Sequence, residues 1–334
     1  MRLVISIDVE EEGLFSGRYR RQPPGVNNVA ALRRLEFIPR EFGFPLTLLL
    51  SYHAATDPEA RRILQHWQHR HQAEIGAHLH HWNTPPFGHP IEPEPLASRD
   101  LPAGLLADKL HTLTQAIKAK FDTPPRSFRM GRFDWWPALL GMLPEFGLTS
   151  DSSMVPLAQY PGRVDQFLTP PDPCRLLVGQ PPRPLLEVPL TQVAVSRRLA
   201  RLAYRFSRRL PAPWGQRLLG KFRLVGAAGI HPAWFPLSSM RLAALLHRGR
   251  GGQVLNMFLH SSELQPGATP NFPTEAAVGR LTGKLRAFLA WLVSTGPVSG
   301  VTLSGLAQAP PSETFTLAPE PDLHLRPIVP SPSP

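Results

Sequence analysis

The feature that most constrains the fold of this chain is a series of short apolar segments that each end in charged or imidazole side chains. The first segment, residues 2–8, runs directly into Asp8-Val9-Glu10-Glu11-Glu12. Strands and helices are predicted in strict alternation over the first 80 residues: strand 2–8, helix 26–42, strand 45–51, helix 57–70 and strand 73–79. Such an alternation predicts an α/β fold built on parallel strands with right-handed crossovers.

The alternation continues less regularly through the rest of the chain. Further strands are predicted at 126–130, 149–151, 185–188, 253–260 and 301–303, with helices at 103–120, 135–146 and 274–294. Seven or eight strands separated by helices predict a distorted (β/α) barrel, in which chemistry is located at the carboxyl ends of the strands. We expect one catalytic domain over residues 1–307, with a basic helical insertion at about 195–225. The Pro- and Ser-rich segment 308–334 is predicted to be a disordered tail.

Composition restricts the chemistry that such a barrel could perform. The chain of 334 residues contains one cysteine, Cys174, which excludes an intramolecular disulfide and a cysteine-based zinc site. A metal site would therefore use His, Asp and Glu. The formal net charge of +11 points to an anionic partner, although a general preference for arginine would also produce it. The sequence shows no run of 18 apolar residues and no signal-peptide pattern, so we expect a cytoplasmic protein.

Two carboxylates follow the first predicted strand. Asp8 and Glu10 are two residues apart, and side chains at that spacing in an extended chain project to the same side. One could hold a metal ion while the other accepts a proton from water. The alternative is a solvated acidic turn, because Glu11 and Glu12 come next.

A cluster of histidines follows the strand at 73–79. His78 and His80 share a face by the two-residue period of a strand, and imidazole is a usual ligand for zinc and related ions. The nearby His66, His69 and His71 lie on a predicted helix, where we interpret them as surface residues.

Four further side chains lie near predicted strand ends. His260 ends an apolar strand and suits a general acid or base, or a cap of the following loop. Arg129 and Arg132 could orient a carboxylate or bind substrate oxygens, and Asp151 ends another short strand. Their common position at successive strand ends predicts a single site assembled from distant parts of the sequence.

The order of these motifs resembles the polysaccharide deacetylase family (the NodB-homology domain, carbohydrate esterase family 4) over roughly residues 1–305. The matching segments are Ser6-Ile7-Asp8-Val9-Glu10, Glu74-Ile75-Gly76-Ala77-His78, Phe128-Arg129-Met130-Gly131-Arg132, Asp151-Ser152-Ser153 and Phe258-Leu259-His260-Ser261-Ser262-Glu263-Leu264. The resemblance implies that Asp8 is the general base, His78 the first histidine ligand and His260 the general acid. It also implies that Arg129 and Asp151 orient and tune the base and the acid.

The chain departs from the family pattern at two positions. Val9 stands where the family has a second, metal-binding aspartate, and related branches with a shortened Asp-x-Glu element make Glu10 the substitute ligand. Trp82 stands at the position of the second histidine, four residues after His78. We expect His80 to replace that ligand, in preference to His81, because it shares the face of His78.

The resemblance implies a hydrolase of non-peptide carbon–nitrogen bonds that removes an acetyl group from an N-acetylated sugar, either free or lipid-linked. It also implies one divalent metal ion, for which zinc is the first expectation and cobalt, nickel or manganese are also suited. Arg132 and Trp82 are the expected substrate-binding residues. Two alternatives remain open: an amidase acting on a small non-sugar amide, and a catalytically inactive carbohydrate-binding homologue.

The basic segment 195–225 interleaves arginine with Leu, Phe and Tyr. Such a pattern is typical of an amphipathic helix that contacts an anionic membrane surface, or of a surface that binds an acidic glycan or a lipid-linked sugar. A solvated helical insertion would show the same pattern. The sequence contains no nucleic-acid recognition motif, so we do not expect nucleic acid as a partner.

Overall fold

The computed structural model describes residues 1–17, 19–23, 25–88, 97–159, 164–307, 314–316 and 326–327. Its strands are β1 (Arg2–Val9), β2 (Thr47–Leu50), β3 (Glu74–Leu79), β4 (Ser127–Met130), β5 (Ser150–Asp151), β6 (Cys174–Val178), β7 (Arg183–Glu187), β8 (Gln192–Ala194), β9 (Ala227–Gly229), β10 (Val254–His260), β11 (Ser299–Gly300), β12 (Thr314–Thr316) and β13 (Arg326–Pro327).

The main sheet has the strand order β10-β1-β2-β3-β4-β5-β7, and each of these neighbouring pairs is parallel. Strand β6 continues the sheet antiparallel to β7. The sheet curves into an open barrel with helices on its outer face. This confirms the predicted distorted (β/α) barrel of seven or eight strands.

The α-helices are α1 (Tyr52–Thr56), α2 (Pro58–Arg70), α3 (Ala103–Phe121), α4 (Pro137–Met142), α5 (Arg197–Ser207), α6 (Ala212–Gly226), α7 (Leu237–Gly249), α8 (Glu275–Ser294) and α9 (Leu303–Ala307). Shorter or irregular helical segments span Leu14–Ser16, Asn27–Leu35, Ile38–Phe42, Ser98–Asp100, Gly131–Phe133, Leu143–Phe146 and Ser261–Leu264. Helix α2 begins as its sequence predicts: Asp57 accepts a hydrogen bond from the Ala60 backbone N–H at 2.8 Å, and Pro58 occupies the first helical position.

The alternation of side chains along β1 separates two environments. Leu3, Ile5 and Ile7 join the large core between the sheet and the outer helices. Val4 packs inside the barrel with residues of other strands, and the inward-facing positions that follow along β1 are Ser6 and Asp8. The interior of the barrel is therefore apolar at the amino ends of its strands and polar toward their carboxyl ends.

Two features lie outside this frame. Strands β8 and β9 form a separate antiparallel pair that carries α5 and α6 between them. Most of the predicted disordered tail, 308–334, lies outside the described residues. Within it, β12 pairs parallel with β6 and β13 pairs antiparallel with β12. Among the described helices, none is long and apolar enough to cross a membrane.

Candidate metal centre and catalytic site

Strand register brings the predicted site residues to one edge of the barrel. Asp8 lies beside His260 in the pairing of β1 with β10, and His78 lies beside Arg129 in the pairing of β3 with β4. Registered neighbours in parallel strands point to the same face, and here that face is the barrel interior. Asp8, His78 and Arg129 are almost completely buried, whereas His260 retains slight exposure.

Glu10, His78 and His80 form a compact group of candidate metal ligands. One potential ligand atom from each lies within 4.8 Å of the others. The Nε2 atoms of His78 and His80 are 3.7 and 3.5 Å from Glu10 Oε2. Two atoms that each bond a tetrahedral zinc ion at about 2.1 Å are about 3.4 Å apart, so this donor set fits a shared ion better than it fits direct hydrogen bonds.

The other ring nitrogen of each histidine is already bound. His78 Nδ1 is 3.0 Å from the backbone carbonyl oxygen of Arg129, and His80 Nδ1 is 2.7 Å from Glu11 Oε1. Both acceptors require a proton on Nδ1, which leaves Nε2 unprotonated and directed at Glu10 in a neutral imidazole. Fixing the tautomer through the second nitrogen is how proteins orient histidine ligands of metals.

Glu11 belongs to the same cluster, although the sequence pattern indicated no role for it beyond the alternative of a solvated acidic turn. Its side chain is buried, and it accepts hydrogen bonds from His80 Nδ1 and from the Asn83 amide. Burial alone would raise the pKa of Glu11, but the neighbouring His80 and hydrogen bonds to the carboxylate lower it to about 2. Glu11 is therefore ionised at neutral pH and holds His80 in place.

A tightly packed tryptophan, Trp82, occupies the position at which the deacetylase pattern has its second histidine. Trp82 is buried and stacks on the His80 ring, with the ring centroids 4.3 Å apart. Its indole therefore supports a candidate ligand from behind and is not presented to a sugar ring, in contrast to the substrate-binding role predicted for it. His80 also lies against Gly131, where an added Cβ would lie 2.5 Å from His80 Cδ2.

Because Gly131 leaves room for His80, replacing it by alanine is expected to displace that imidazole. A Cβ would also lie 2.8 Å from the Leu79 carbonyl oxygen, so the backbone offers no easy relief. We expect Gly131→Ala to weaken divalent metal binding by about 10-fold or more, measured by competition with a chelating indicator. Gly104→Ala is the matched control, because nothing lies within 4 Å of its added Cβ. Equal affinities of the two variants would contradict the proposed role of His80.

Asp8 is held by a buried arginine. Arg129 NH1 donates to Asp8 Oδ1 at 2.5 Å, and both side chains are essentially inaccessible to solvent. Burial alone would raise the pKa of Asp8, but Arg129, His78 and His260 together hold it below its usual value. The carboxylate is therefore ionised at neutral pH.

The orientation of Arg129 depends on residues inside the barrel. Its Nε donates to the Ser152 carbonyl at 2.8 Å, and its Nη2 donates to Ser6 Oγ at 2.8 Å and to Ser152 Oγ at 2.9 Å. Asn256 donates to the same Ser152 hydroxyl at 2.8 Å. Ser152 therefore links the guanidinium to strand β10 across the barrel.

Asp151 lies on the other face of the sheet. It is paired with Phe128 in β4 and with Glu187 in β7, so it points away from Arg129. Its carboxylate accepts hydrogen bonds from the Ser153 hydroxyl and backbone, and Glu187 accepts one from the Trp135 indole at 2.9 Å. Burial and the adjacent Asp151 carboxylate raise the pKa of Glu187 well above its usual value. The structure thus does not bring Asp151 into direct contact with Asp8 or Arg129.

His260 belongs to a second group that includes two residues missed by sequence analysis, His231 and Glu263. The His260 ring Nδ1 lies 3.2 Å from Glu263 Oε1, and the His260 backbone N–H donates to Oε2 of the same carboxylate at 3.1 Å. Burial would lower the pKa of His260, but Glu10, Glu263 and Asp8 raise it to about 9. Burial lowers the pKa of His231 to about 3, so this ring is neutral where it packs near His260.

A loop between β1 and the Asn27–Leu35 helix lies over this group. Phe15 contacts the His260 ring edge-on at 5.1 Å, and Tyr19 contacts Trp82 at 5.3 Å. The Arg132 guanidinium lies 5.3 Å from the Tyr19 ring, which places the predicted substrate-binding arginine beside the loop. A cavity of about 400 Å³ is lined by residues of this loop and by Glu11, the residue that follows the candidate ligand Glu10.

Comparison with known proteins places the fold. No family model and no curated protein matches the sequence. A Mycobacterium smegmatis protein provisionally described as a polysaccharide deacetylase is similar in structure, with a TM-score of 0.56 and 17% identity over 96% of this chain and 94% of the other. The allantoinase PuuE is similar with a TM-score of 0.53 and 13% identity over 92% of this chain and 89% of the allantoinase chain. The 4-α-glucanotransferase of Thermococcus litoralis is similar with a TM-score of 0.51 and 14% identity over 95% of this chain and 42% of the transferase chain.

These likenesses extend over almost the whole described barrel, at identities that show fold and not activity. They agree with the curved parallel sheet. The chain therefore has the fold of the polysaccharide deacetylases, which confirms the fold that the resemblance implies.

Proposed function

We propose that the protein is a metal-dependent hydrolase that removes the acetyl group from an N-acetylated carbohydrate. One observation supports this proposal most strongly: a single buried cluster at the strand edge contains a group of metal ligands, a base and an acid. Glu10, His78 and His80 present ligand atoms to a common point, Asp8 is an ionised carboxylate paired with Arg129, and His260 is held protonated.

Glu10, His78 and His80 would hold the ion. An all-nitrogen-and-oxygen set of two imidazoles and one carboxylate suits zinc first, with cobalt, nickel and manganese as alternatives. A divalent ion bound by these residues would polarise the acyl oxygen and lower the pKa of a water molecule.

Asp8 and His260 supply the proton transfers. The ionised Asp8 carboxylate can accept a proton from water because Arg129 keeps it charged and fixed in orientation. The Glu263 carboxylate fixes one nitrogen of the His260 ring, which leaves the other nitrogen to donate a proton to the departing amine. A neighbouring base and acid of this kind suit hydrolysis of an amide.

The charge on His260 predicts an alkaline limit to activity. The imidazolium is present below its raised pKa of about 9 and is lost above it, so kcat/KM should fall as the pH rises through that value. A metal ion on Glu10 would neutralise part of the charge that raises this pKa, which moves the limit below 9. In a pH–rate profile, His260→Gln should lose the alkaline limb and reduce the plateau by about 10²–10⁴-fold. An unchanged limb in the variant would show that another group is the acid.

Glu11 should control metal affinity without touching the ion. Glu11→Gln removes the charge that holds the Nδ1 proton of His80, and loss of such an outer partner typically costs about 10–100-fold in affinity. Glu12→Gln is the matched control, since Glu12 contacts Asn27 and Gln265 and not the histidines. Isothermal titration of the metal-free proteins with zinc measures the difference, and equal affinities would argue against this role.

The alternative function differs in its substrate, which would be a small amide without a sugar. An amidase acting on a small non-sugar amide is favoured by two observations: the structural likeness to an allantoinase, and the burial of Trp82, which removes one sugar-stacking surface. The side chain of Arg132 at the loop is the residue that we propose contacts the substrate in either case.

Acetate release from a panel of N-acetylated sugars and oligosaccharides, compared with ammonia or amine release from non-sugar amides, tests the proposal. We expect metal-dependent acetate release from at least one sugar. Hydrolysis confined to non-sugar amides would favour the amidase. Metal binding without hydrolysis of any compound would favour an inactive binding protein.

A further inference from the structure

The helical hairpin formed by α5 and α6 presents an apolar surface to solvent. On α5, Leu199, Leu202 and Phe206 follow one another at helical spacing, and each is more than half exposed. On α6, Trp214, Leu224 and Val225 are 61%, 82% and 86% exposed. Single exposed apolar side chains are common, but a group of large ones on one hairpin is typical of an interaction surface.

The same hairpin concentrates the positive charge of the protein. Residues 195–225 contain nine of the 36 lysine and arginine residues and none of the 25 acidic residues, so they hold +9 of the formal net charge of +11. The sequence contains no Asp or Glu between Glu187 and Glu263. On α5 the exposed Arg198 and Arg205 border the apolar stripe on its Leu202 side, at about 40° and 60° from Leu202 around the helix.

The hairpin is held firmly by its other side. Ala200, Leu219 and Phe222 pack with Phe167 in a small core of their own. The two helices approach closely, since an added Cβ on Gly215 would lie 2.5 Å from the Ser207 carbonyl oxygen. These contacts leave the apolar and basic face without a partner among the described residues.

We propose that this hairpin docks the protein on an anionic phospholipid surface. The apolar side chains match the acyl-chain region of such a surface, and the arginines that border them match its acidic headgroups. Trp214, with Arg217 over its ring at 5.2 Å, has the mixed character that favours the headgroup level. A soluble acidic glycan would account for the arginines, but not for the exposed Leu, Phe and Val side chains.

The position of the hairpin relates this surface to the candidate site. Strand β9, which receives the end of α6, finishes at Gly229, two residues before His231. His231 lies next to His260 in the candidate site. A lipid surface bound by the hairpin would therefore be anchored close to the site, which suits a substrate carried on a lipid; that refinement rests on the proposed hydrolase function.

Vesicle flotation tests the docking independently of any hydrolysis. The whole protein should float with vesicles of phosphatidylcholine mixed with phosphatidylglycerol, float weakly with pure phosphatidylcholine, and be released as salt is raised. Arg198→Gln/Arg205→Gln should weaken binding by about 25-fold, near fivefold for each charge. Leu202→Ser/Phe206→Ser should weaken it by about 10-fold or more.

Matched variants control for charge and apolarity in general. Arg62→Gln/Arg280→Gln removes two exposed arginines, and Phe87→Ser/Val293→Ser removes two exposed apolar side chains, all on other elements. Both controls should bind as the wild type does. Quenching of tryptophan fluorescence by brominated lipids should be lost in Trp214→Phe.

Three outcomes would overturn the proposal: no flotation with either vesicle, equal losses in the control variants, or a concentration-dependent dimer in the absence of lipid that Leu202→Ser/Phe206→Ser abolishes. The last outcome would assign the face to a second copy of the chain. An inactive protein that still floats would contradict the proposed hydrolase and leave the docking intact.

Discussion

Replacing Asp8 by asparagine is expected to lower kcat/KM by about 10²–10⁴-fold while leaving metal binding nearly unchanged. The amide has the size of the carboxylate and can still accept a hydrogen bond from Arg129, but it cannot take a proton from water. Glu10, His78 and His80 present their ligand atoms to one another without Asp8. We therefore expect a variant that still binds the metal ion but hydrolyses substrate very slowly.

Steady-state kinetics and elemental analysis of the same preparation separate the two effects. Asp108→Asn removes an exposed carboxylate from α3 and serves as the control. Because Asp8→Asn also leaves the Arg129 charge without its counter-ion, thermal unfolding should be measured to show that the loss is not one of folding. Activity within a few-fold of the wild type would exclude Asp8 as the base.

Replacing Arg129 by methionine is expected to destabilise the fold by about 3–5 kcal/mol, because the Asp8 carboxylate would remain buried without its partner. The change also removes the donors that reach Ser6 and Ser152 inside the barrel. Denaturant unfolding should show the loss, whereas Arg126→Met, at an exposed position just before the same strand, should change stability little.

A double variant distinguishes an unpaired charge from lost packing. Asp8→Leu/Arg129→Met removes both charges, so it should be less destabilised than Arg129→Met alone. If Arg129→Met costs less than about 1 kcal/mol, or if the double variant is the less stable, the buried pair does not have the role assigned to it.

The sequence pattern predicted most of the side chains that meet at this strand edge, because strand periodicity determines direction. Asp8 and Glu10, and likewise His78 and His80, are two residues apart at the ends of strands β1 and β3, whose apolar residues identify them as buried strands. That period also favoured His80 over His81, and the structure directs His80 Nε2 at Glu10. Parallel register then brought these pairs together at the carboxyl edge.

Asp151 shows where the same reasoning fails. Strand β5 has two residues, Ser150 and Asp151, and a segment so short has no alternation from which to infer a face. The residue that contacts Arg129 is the next one, Ser152. A serine beside an aspartate carries no sequence signal for that role.

Glu11, His231 and Glu263 were missed for a different reason: burial of charge is a tertiary property. A run of three glutamates is usually solvated, and Glu11 is buried only because His80 and Asn83 donate to it. Glu263 lies three residues after His260 at the start of a short helix, a spacing that could have indicated contact with the His260 backbone N–H.

The ends of the fold were also less predictable than its centre. The predicted strand at 301–303 is wrong: β11 is Ser299–Gly300, and helix α9 begins at Leu303, whose N–H donates to Thr47 Oγ1. Strand β6 (Cys174–Val178) lies within a Pro-rich stretch in which no strand was predicted, and its pairing with β7 supplies the hydrogen bonds that local sequence does not indicate.

Metal content is the most direct test of the proposed hydrolase, because every role proposed in hydrolysis depends on the group formed by Glu10, His78 and His80. Elemental analysis of the wild-type protein, and of a His78→Ala variant purified in parallel, should find one divalent ion per wild-type chain and a large loss in the variant. Reloading the chelated wild type should restore acetate release. A wild-type protein that binds no divalent ion, or one that binds it equally well without His78, would contradict the metal centre.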